Sequence, residues 1–246
     1  KHNVPLILDN TAAPYICKPL NHGANIVVYS TTKYIGGHGL SIGGLLIDGG
    51  NFDWEKAGDR FKMLNSPDPS YHGAVWTQAA KPLGPIAYIL RARVILLRDL
   101  GSSMSPFNAF TFIQGLETLP LRMQRHCDNA TEIANYLSKH DKVDKVIYPK
   151  LMSGDHLDRA NKYMEKGHGA LVGFELKDGV DAGKKFIDSL KLFYHVANIG
   201  DARSLAIHPS STTHSQLSED EKLSAGVTPG YIRLSIGLEH IDDLLE

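Results

Sequence analysis

The sequence predicts an α/β protein: a mostly parallel sheet with helices, followed by a small α+β layer. Three observations carry that expectation. Val4–Leu8 and Asn25–Tyr29 are short, continuous apolar runs that end in polar residues, Asp9-Asn10-Thr11 and Ser30-Thr31-Thr32-Lys33. Continuous β-branched runs of this length suit strands buried on both faces of a parallel sheet. Ala130, Ile133, Ala134 and Leu137 recur at helical spacing on one face. Beyond Leu119 short strands alternate with helices, as in a compact α+β layer.

The elements follow in order. Lys18–Gly23 predicts a short helix closed by Gly23, since glycine takes the left-handed backbone that ends helices. Gly43–Asp48 reads as a third strand. Across 51–81 the periodicity weakens, Pro67 and Pro69 interrupt it, and Trp54, Phe61, Tyr71 and Trp76 punctuate it. A long ordered loop with short helices fits, and such loops are often functional. Ile86–Leu100 predicts a helix ending at Gly101, Asn108–Leu116 a second after Ser105-Pro106, and Pro120–His140 a third. Val143–Tyr148, Leu171–Leu176, Ser204–Ile207 and Tyr231–Ser235 read as strands, with helices over Asp155–Met164 and Asp181–Leu190. The expected domains are therefore 1–118 and 119–246.

The 246 residues carry 42% hydrophobic side chains, enough for a packed core, and a formal net charge of -1. That balance gives no reason to expect nucleic acid or a membrane as partner. No apolar run is long enough for a membrane-spanning helix. Cys17 and Cys127 stand far apart without a C-x-x-C, so neither a disulfide framework nor a metal site is expected. The expected setting is a reducing, cytoplasmic one. Asn129-Ala130-Thr131 matches a glycosylation sequon, which we read as a chance triplet.

The chemistry is expected where the strands end. Ligands of open parallel α/β sheets bind outside the carboxyl ends of the strands. Asp9 follows one run, and Ser30, Thr31, Thr32 and Lys33 follow the next. A carboxylate, hydroxyls and an amine form a plausible set for a phosphorylated aromatic cofactor. The carboxylate can keep a pyridine nitrogen protonated, and a partly desolvated lysine can form a Schiff base. The alternative is a solvated surface lysine and a turn-forming aspartate. Gly36, Gly37, Gly39, Gly43 and Gly44 lack the spacing of either nucleotide-binding loop. Tyr231, Arg233 and Ser235 share one face of the last strand, and Ile232, Leu234 and Ile236 the other.

The whole string closely resembles the Cys/Met-metabolism family of fold-type I enzymes dependent on pyridoxal phosphate. The resemblance rests on Asp9-Asn10-Thr11, Ser30-Thr31-Thr32-Lys33-Tyr34, Gly37-His38, Gly115-Leu116-Glu117-Thr118-Leu119 and Leu121-Arg122-Met123. Further along it rests on Ser204-Leu205, His208-Pro209, Thr213-His214 and Ile232 to Glu239. It implies that Lys33 carries the cofactor as a Schiff base and acts as catalytic base. It also implies that Asp9 pairs with the pyridine nitrogen, that Ser30 and Thr32 bind the phosphate, and that Arg233 clamps the substrate α-carboxylate.

Asp68–Gly73, Arg98–Gly101, Ser105–Phe110 and Asn198–Leu205 resemble the O-acetylhomoserine sulfhydrylase branch of that family. On that resemblance Asn198 sits near the lysine and the substrate carboxylate. The implied reaction is γ-replacement on O-acetylhomoserine by sulfide or a small thiol, giving homocysteine or methionine and acetate. The rivals are cystathionine γ-synthase, cystathionine γ-lyase and methionine γ-lyase chemistry, and a non-catalytic fragment. Family members are usually homotetramers of active-site-sharing dimers. Because the chain opens at Lys1-His2-Asn3 without the family's N-terminal motifs, it is expected to be the C-terminal part of a longer fold-type I transferase.

Overall fold

A computed structural model describes residues 2–246; Lys1, on which part of the expectation of a cut chain rests, lies outside them. Two compact units emerge, neither continuous in sequence. One comprises the described residues up to Thr11, Lys18–Ser30 and Gly43–Phe110; the other comprises Ala12–Cys17, Thr31–Ile42 and Thr111–Glu246.

The first unit is built on a mixed three-stranded sheet. Strands β1 (Ile7–Asp9), β2 (Ile26–Ser30) and β3 (Gly44–Asp48) lie in the order β1-β2-β3. β1 and β2 are parallel, with Asp9 opposite Val28, and β2 and β3 are antiparallel. The ladder starts at Ile7 rather than Val4. Pro5 has no N–H to give, and the Leu6 N–H donates to Asn25 Oδ1 at 2.8 Å. Central β2 is buried on both faces at its start, where Ile26 is 0% and Val27 2% exposed. Burial on both faces, expected of β1 as well, is not found there. β1 is the edge strand of this order, and Ile7 is 52% exposed.

The expected short helix is a 3-10 turn over Pro19–His22, with Gly23 left-handed at its end. Residues 51–81 form the ordered loop with short helical pieces, among them α1 (Lys62–Asn65) and α2 (Trp76–Ala80). Then α3 (Ala87–Arg91), a π-helical stretch Ala92–Leu97 and α4 (Arg98–Leu100) run on, ending at left-handed Gly101. Ile26, Phe52, Trp54, Leu64, Trp76 and Ile95 share one buried core. Asp68 ties the loop to it: Oδ2 accepts from Trp76 Nε1 at 2.8 Å and lies 3.5 Å from Arg91 Nε, while Oδ1 accepts from Ser70 Oγ at 2.6 Å. These bonds hold the Asp68 carboxyl down near 2, the Ser70 hydroxyl first and the Trp76 indole next.

Two helices expected on either side of Leu119 are one: α5 runs unbroken over Pro106–Leu137. Pro120 lies inside it. Proline cannot bond to the carbonyl four residues back, and here that is the carbonyl of Leu116; both residues are exposed, where water can serve it. The sequence boundary at 118/119 thus falls within a continuous helix. The rest of the second unit runs β4 (Val143–Ile147), α6 (Asp155–Tyr163), β5 (Leu171–Leu176), α7 (Gly179–Ser189), β6 (Tyr194–His195), β7 (Leu205–Ile207), α8 (Glu219–Ser224), β8 (Tyr231–Ser235) and α9 (Ile241–Leu245).

Its sheet order is β4-β5-β8-β7-β6, antiparallel except for the β6–β7 pair. Alternation in burial holds in β8 up to Leu234: Ile232 and Leu234 are buried and Tyr231 and Arg233 half-buried, whereas Ser235, on the Arg233 face, is buried like Ile236. Phe174 of β5 is 1% exposed and meets Phe186 of α7 edge-on at 5.4 Å. Truncating such a buried ring to alanine costs about 3–5 kcal/mol. Asn129 of the sequon is 2% exposed, and its amide donates to Gly237 O and Glu239 O at 3.1 and 3.0 Å. It is a helix-to-loop tie.

Candidate active site

Within the first unit, the carboxyl ends of β1 and β2 lie side by side. Asp9 closes β1 and is exposed. Its Oδ1 accepts the Thr11 N–H at 2.9 Å, an Asx turn that bends the chain away from the strand. Oδ2 has no protein partner among the described residues. The Thr11 hydroxyl accepts the N–H of Ser30, the last residue of β2, at 2.8 Å. Asn10 donates through its amide to the Tyr29 hydroxyl at 3.0 Å. The carboxylate of Asp9 and the end of β2 are thereby fixed to one another.

Within the second unit, Thr31 to Gly37 form a tight turn. Gly36 N–H donates to Thr31 O at 2.8 Å and Gly37 N–H to Lys33 O at 2.7 Å. Thr32 and Lys33 are half-buried on it. The Lys33 ammonium donates to Asn198 Oδ1. The Asn198 carbonyl in turn accepts from Arg233 Nη2 at 3.2 Å. Lys33, Asn198 and Arg233, expected near one another from 165 and 35 residues away in sequence, share one hydrogen-bonded run. The loop that carries Asn198 is held on both sides. Gly200 N–H donates to Ser235 Oγ at 3.0 Å, and Ala202 N–H donates to Gly37 O at 2.7 Å.

The electrostatics favour an anion beside Arg233. Among the described residues no carboxylate lies within ion-pair distance of its guanidinium, and its buried Nε has no hydrogen-bond partner. Burial pulls the guanidinium below its ordinary value, yet arginine stays charged throughout the physiological range. A buried, charged donor without an acceptor is costly unless a ligand supplies one. A carboxylate matches such a fork in shape and charge.

Arg122 belongs to a motif that by itself implies no role for it, and His126 belongs to none of the motifs. Both lie on α5. Arg122 Nη1 donates to Tyr34 O at 2.7 Å, and Nη2 donates to Ile35 O at 3.1 Å and to Gly115 O at 2.7 Å. His126 Nδ1 bonds Ile236 O at 2.7 Å, just past β8, and its ring stands edge-on to Tyr34 at 5.3 Å. The available signal was a charged and an aromatic polar residue on the face of α5 that also carries Met123 and Ala130. An apolar face with polar residues at such spacing marks buried polar ties.

Taken by itself, the second unit offers a half-buried amine and a guanidinium with an unused buried donor, groups that suit an aldehyde and a carboxylate. Taken by itself, the first offers a carboxylate and a hydroxyl at adjacent strand ends. No group of three or more His, Cys, Asp or Glu among the described residues could hold a metal ion.

Comparison with known proteins agrees with that chemistry. The family model for Cys/Met metabolism PLP-dependent enzymes matches residues 1–246. An O-acetyl-L-homoserine sulfhydrylase of Leptospira meyeri is 57% identical, covering 98% of this chain and 56% of that protein. A homocysteine synthase of Schizosaccharomyces pombe is 48% identical over 98% of this chain and 56% of its own length. A crystal structure of an O-acetylhomoserine (thiol)-lyase from Campylobacter jejuni, in which one position is an N'-pyridoxyl-lysine-5'-monophosphate, superposes with a TM-score of 0.90 at 42% identity. That match covers 99% of this chain and 57% of that one. The chain spans somewhat more than half the length of these relatives. It belongs to the family of Cys/Met metabolism PLP-dependent enzymes.

Proposed function

We propose that the protein carrying this chain catalyses γ-replacement on O-acetylhomoserine with sulfide or a small thiol, releasing acetate and giving homocysteine or methionine. The carrying observation is 57% identity, over nearly the whole chain, to a protein named for the sulfide reaction. Supporting it is the run of Lys33, Asn198 and Arg233.

In this reading, pyridoxal phosphate, when bound, supplies an electron sink for charge developing on the substrate carbons. Lys33 would hold the cofactor, and its amine, once freed by substrate, would take the proton from Cα and return it during the γ-exchange. Asn198 Oδ1 orients that amine. Arg233 would bind the α-carboxylate through its unused Nε and its outer nitrogen. Asp9 would face the ring nitrogen with its spare Oδ2 and keep it protonated. Ser30 and Thr32 would bind the phosphate through hydroxyl and backbone donors. Residues 1–118 would be the remainder of a large cofactor-binding domain and 119–246 the small domain.

We also propose a cytoplasmic homo-oligomer, in the parent a dimer of dimers. In support, no disulfide joins Cys17 and Cys127, and in the first unit Leu6, Ile7 and Leu46 leave 45–52% of their surface exposed, as at a subunit interface. No helix among the described residues is long and apolar enough to cross a membrane.

Borohydride reduction with pyridoxal phosphate, followed by peptide mapping, tests the cofactor site: label concentrated on Lys33 is expected. Assay of the longer protein with O-acetylhomoserine and either sulfide or cysteine tests the reaction. Homocysteine formed from sulfide is expected; cystathionine formed from cysteine at a comparable rate would refute the sulfhydrylase assignment.

A further inference from the structure

The α5 face that carries Arg122 makes an unusual investment. The Arg122 residue is 7% exposed, and among the described residues no carboxylate neutralises it. Burying an unpaired guanidinium is costly, and an apolar side chain would fill the same space without that cost. Every polar contact it makes goes to uncharged oxygen: the carbonyls of Tyr34, Ile35 and Gly115, and the Thr118 hydroxyl, which lies 3.1 Å from Nε.

Two of those carbonyls belong to the residues directly after Lys33. In a continuing helix they would accept N–H groups from the next turn. Here the chain swings away at Gly37, whose φ of +75° is left-handed. The guanidinium fork takes the place of the missing turn and closes the Lys33 turn as a side-chain cap. The fit is close on both sides. A Cβ at Gly37 would sit 2.5 Å from Arg122 Nη1, and one at Gly115 would sit 2.1 Å from Ile35 O. Glycine at both positions lets the turn rest on the helix backbone.

One helical turn further along the same face His126 grips Ile236 O, and a second turn on Asn129 grips Gly237 O, in the chain that leaves β8. One helix edge therefore holds the turn bearing Lys33 and the exit of the strand bearing Arg233.

We propose that Arg122 is a positioning residue for Lys33: its fork on the Tyr34 and Ile35 carbonyls sets the direction in which the Lys33 amine meets its partners. The inference rests on Lys33 being the cofactor lysine. It makes Arg122 a part of the site that touches neither cofactor nor substrate.

The test uses the longer protein and pyridoxal phosphate as the probe. In wild type, R122K and R122Q, the rate at which bound cofactor is captured by Lys33 is followed by its visible absorption. Reduction and peptide mapping assign the site, while total cofactor bound and far-ultraviolet circular dichroism are recorded in parallel. R122K keeps the charge but loses the fork, so capture at Lys33 is expected to slow about tenfold, the effect of roughly one buried hydrogen bond. Total binding and dichroism should stay within about twofold and unchanged respectively, a split that general loosening of the fold would not give. T118V removes the Nε contact and the long 3.5 Å bond from the Thr118 hydroxyl to Gly115 O, leaves the fork in place, and is expected to slow capture about twofold to threefold; it decides the matter if both Arg122 variants fail to fold. Wild-type capture rates in folded R122K and R122Q, or in T118V when the other two are unfolded, would overturn the positioning role. Absence of label on Lys33 in the wild type would instead overturn the cofactor assignment, and the inference with it.

Discussion

Lowering the pH probes the burial of His126 directly. Its Nδ1 bonds the Ile236 carbonyl, so the proton resides there, and Nε2 is buried without a partner. Protonation would place an unsatisfied N–H and a positive charge in the core beside Arg122. Burial is the main cause, the Ile236 carbonyl and the Asp201 carboxylate work the other way, and Arg122 adds to the depression; the imidazole falls from 6.5 to about 4. Between those values the unfolded chain binds a proton that the folded chain refuses, so stability rises with pH. The contribution is fully present above pH 6.5 and is lost progressively as pH falls toward 4. At 1.36 kcal/mol per pH unit the limiting loss is about 3 kcal/mol, and at pH 5 it is about 2 kcal/mol. Urea unfolding of wild type and H126Q at pH 7 and pH 5, followed by tryptophan fluorescence, isolates the term. Glutamine can still donate to Ile236 O but cannot titrate. The wild type should lose about 2 kcal/mol more than H126Q over that interval. Parallel losses in the two proteins, or an NMR titration of His126 near 6.5, would refute the reasoning.

Other expectations follow from the same geometry. K33A should abolish reductive labelling at that position and lower turnover by several orders of magnitude, since holding and proton transfer both depend on it; mapping and steady-state assay check this. R233K should raise KM for the amino-acid substrate about tenfold to a hundredfold with a smaller change in kcat, because a point charge replaces a forked donor. G115A should destabilise the fold by about 1–3 kcal/mol or more, because the new Cβ would lie 2.1 Å from Ile35 O and backbone must shift to admit it; thermal unfolding reads this out. The Asp68 carboxyl, held near 2, contributes stability that is complete above its unfolded value of 3.8 and is lost as pH falls toward 2. The indole emission of Trp76 should therefore stay native through pH 4 with respect to this group, and D68N should remove the acid transition below it.

Local chemistry was legible in the chain. Continuous apolar runs marked β1 and β2, glycines marked the ends at Gly23 and Gly101, and alternation in β8 placed Arg233 on the face away from Ile232 and Leu234. Each depends on a residue and its near neighbours, and backbone sterics act at that range. The motifs around Lys33 and Arg233 carried the family for a similar reason: they are contiguous strings. The helix break expected between Leu116 and Pro120 is absent because Pro120 lies on an exposed helix face, and burial of the opposite face outweighs one missing hydrogen bond.

What only the tertiary structure decided is long-range. Arg122 reaches Tyr34 across 88 residues, and His126 reaches Ile236 across 110. The edge position of β1 and the antiparallel run of β3 follow from which strands pair, and no single run encodes its partner. The role of Arg122 depends on two backbone carbonyls, groups that every residue possesses and that leave no mark in sequence. A charge without a carboxylate partner becomes meaningful only once the fold shows that it is buried and which oxygens it holds.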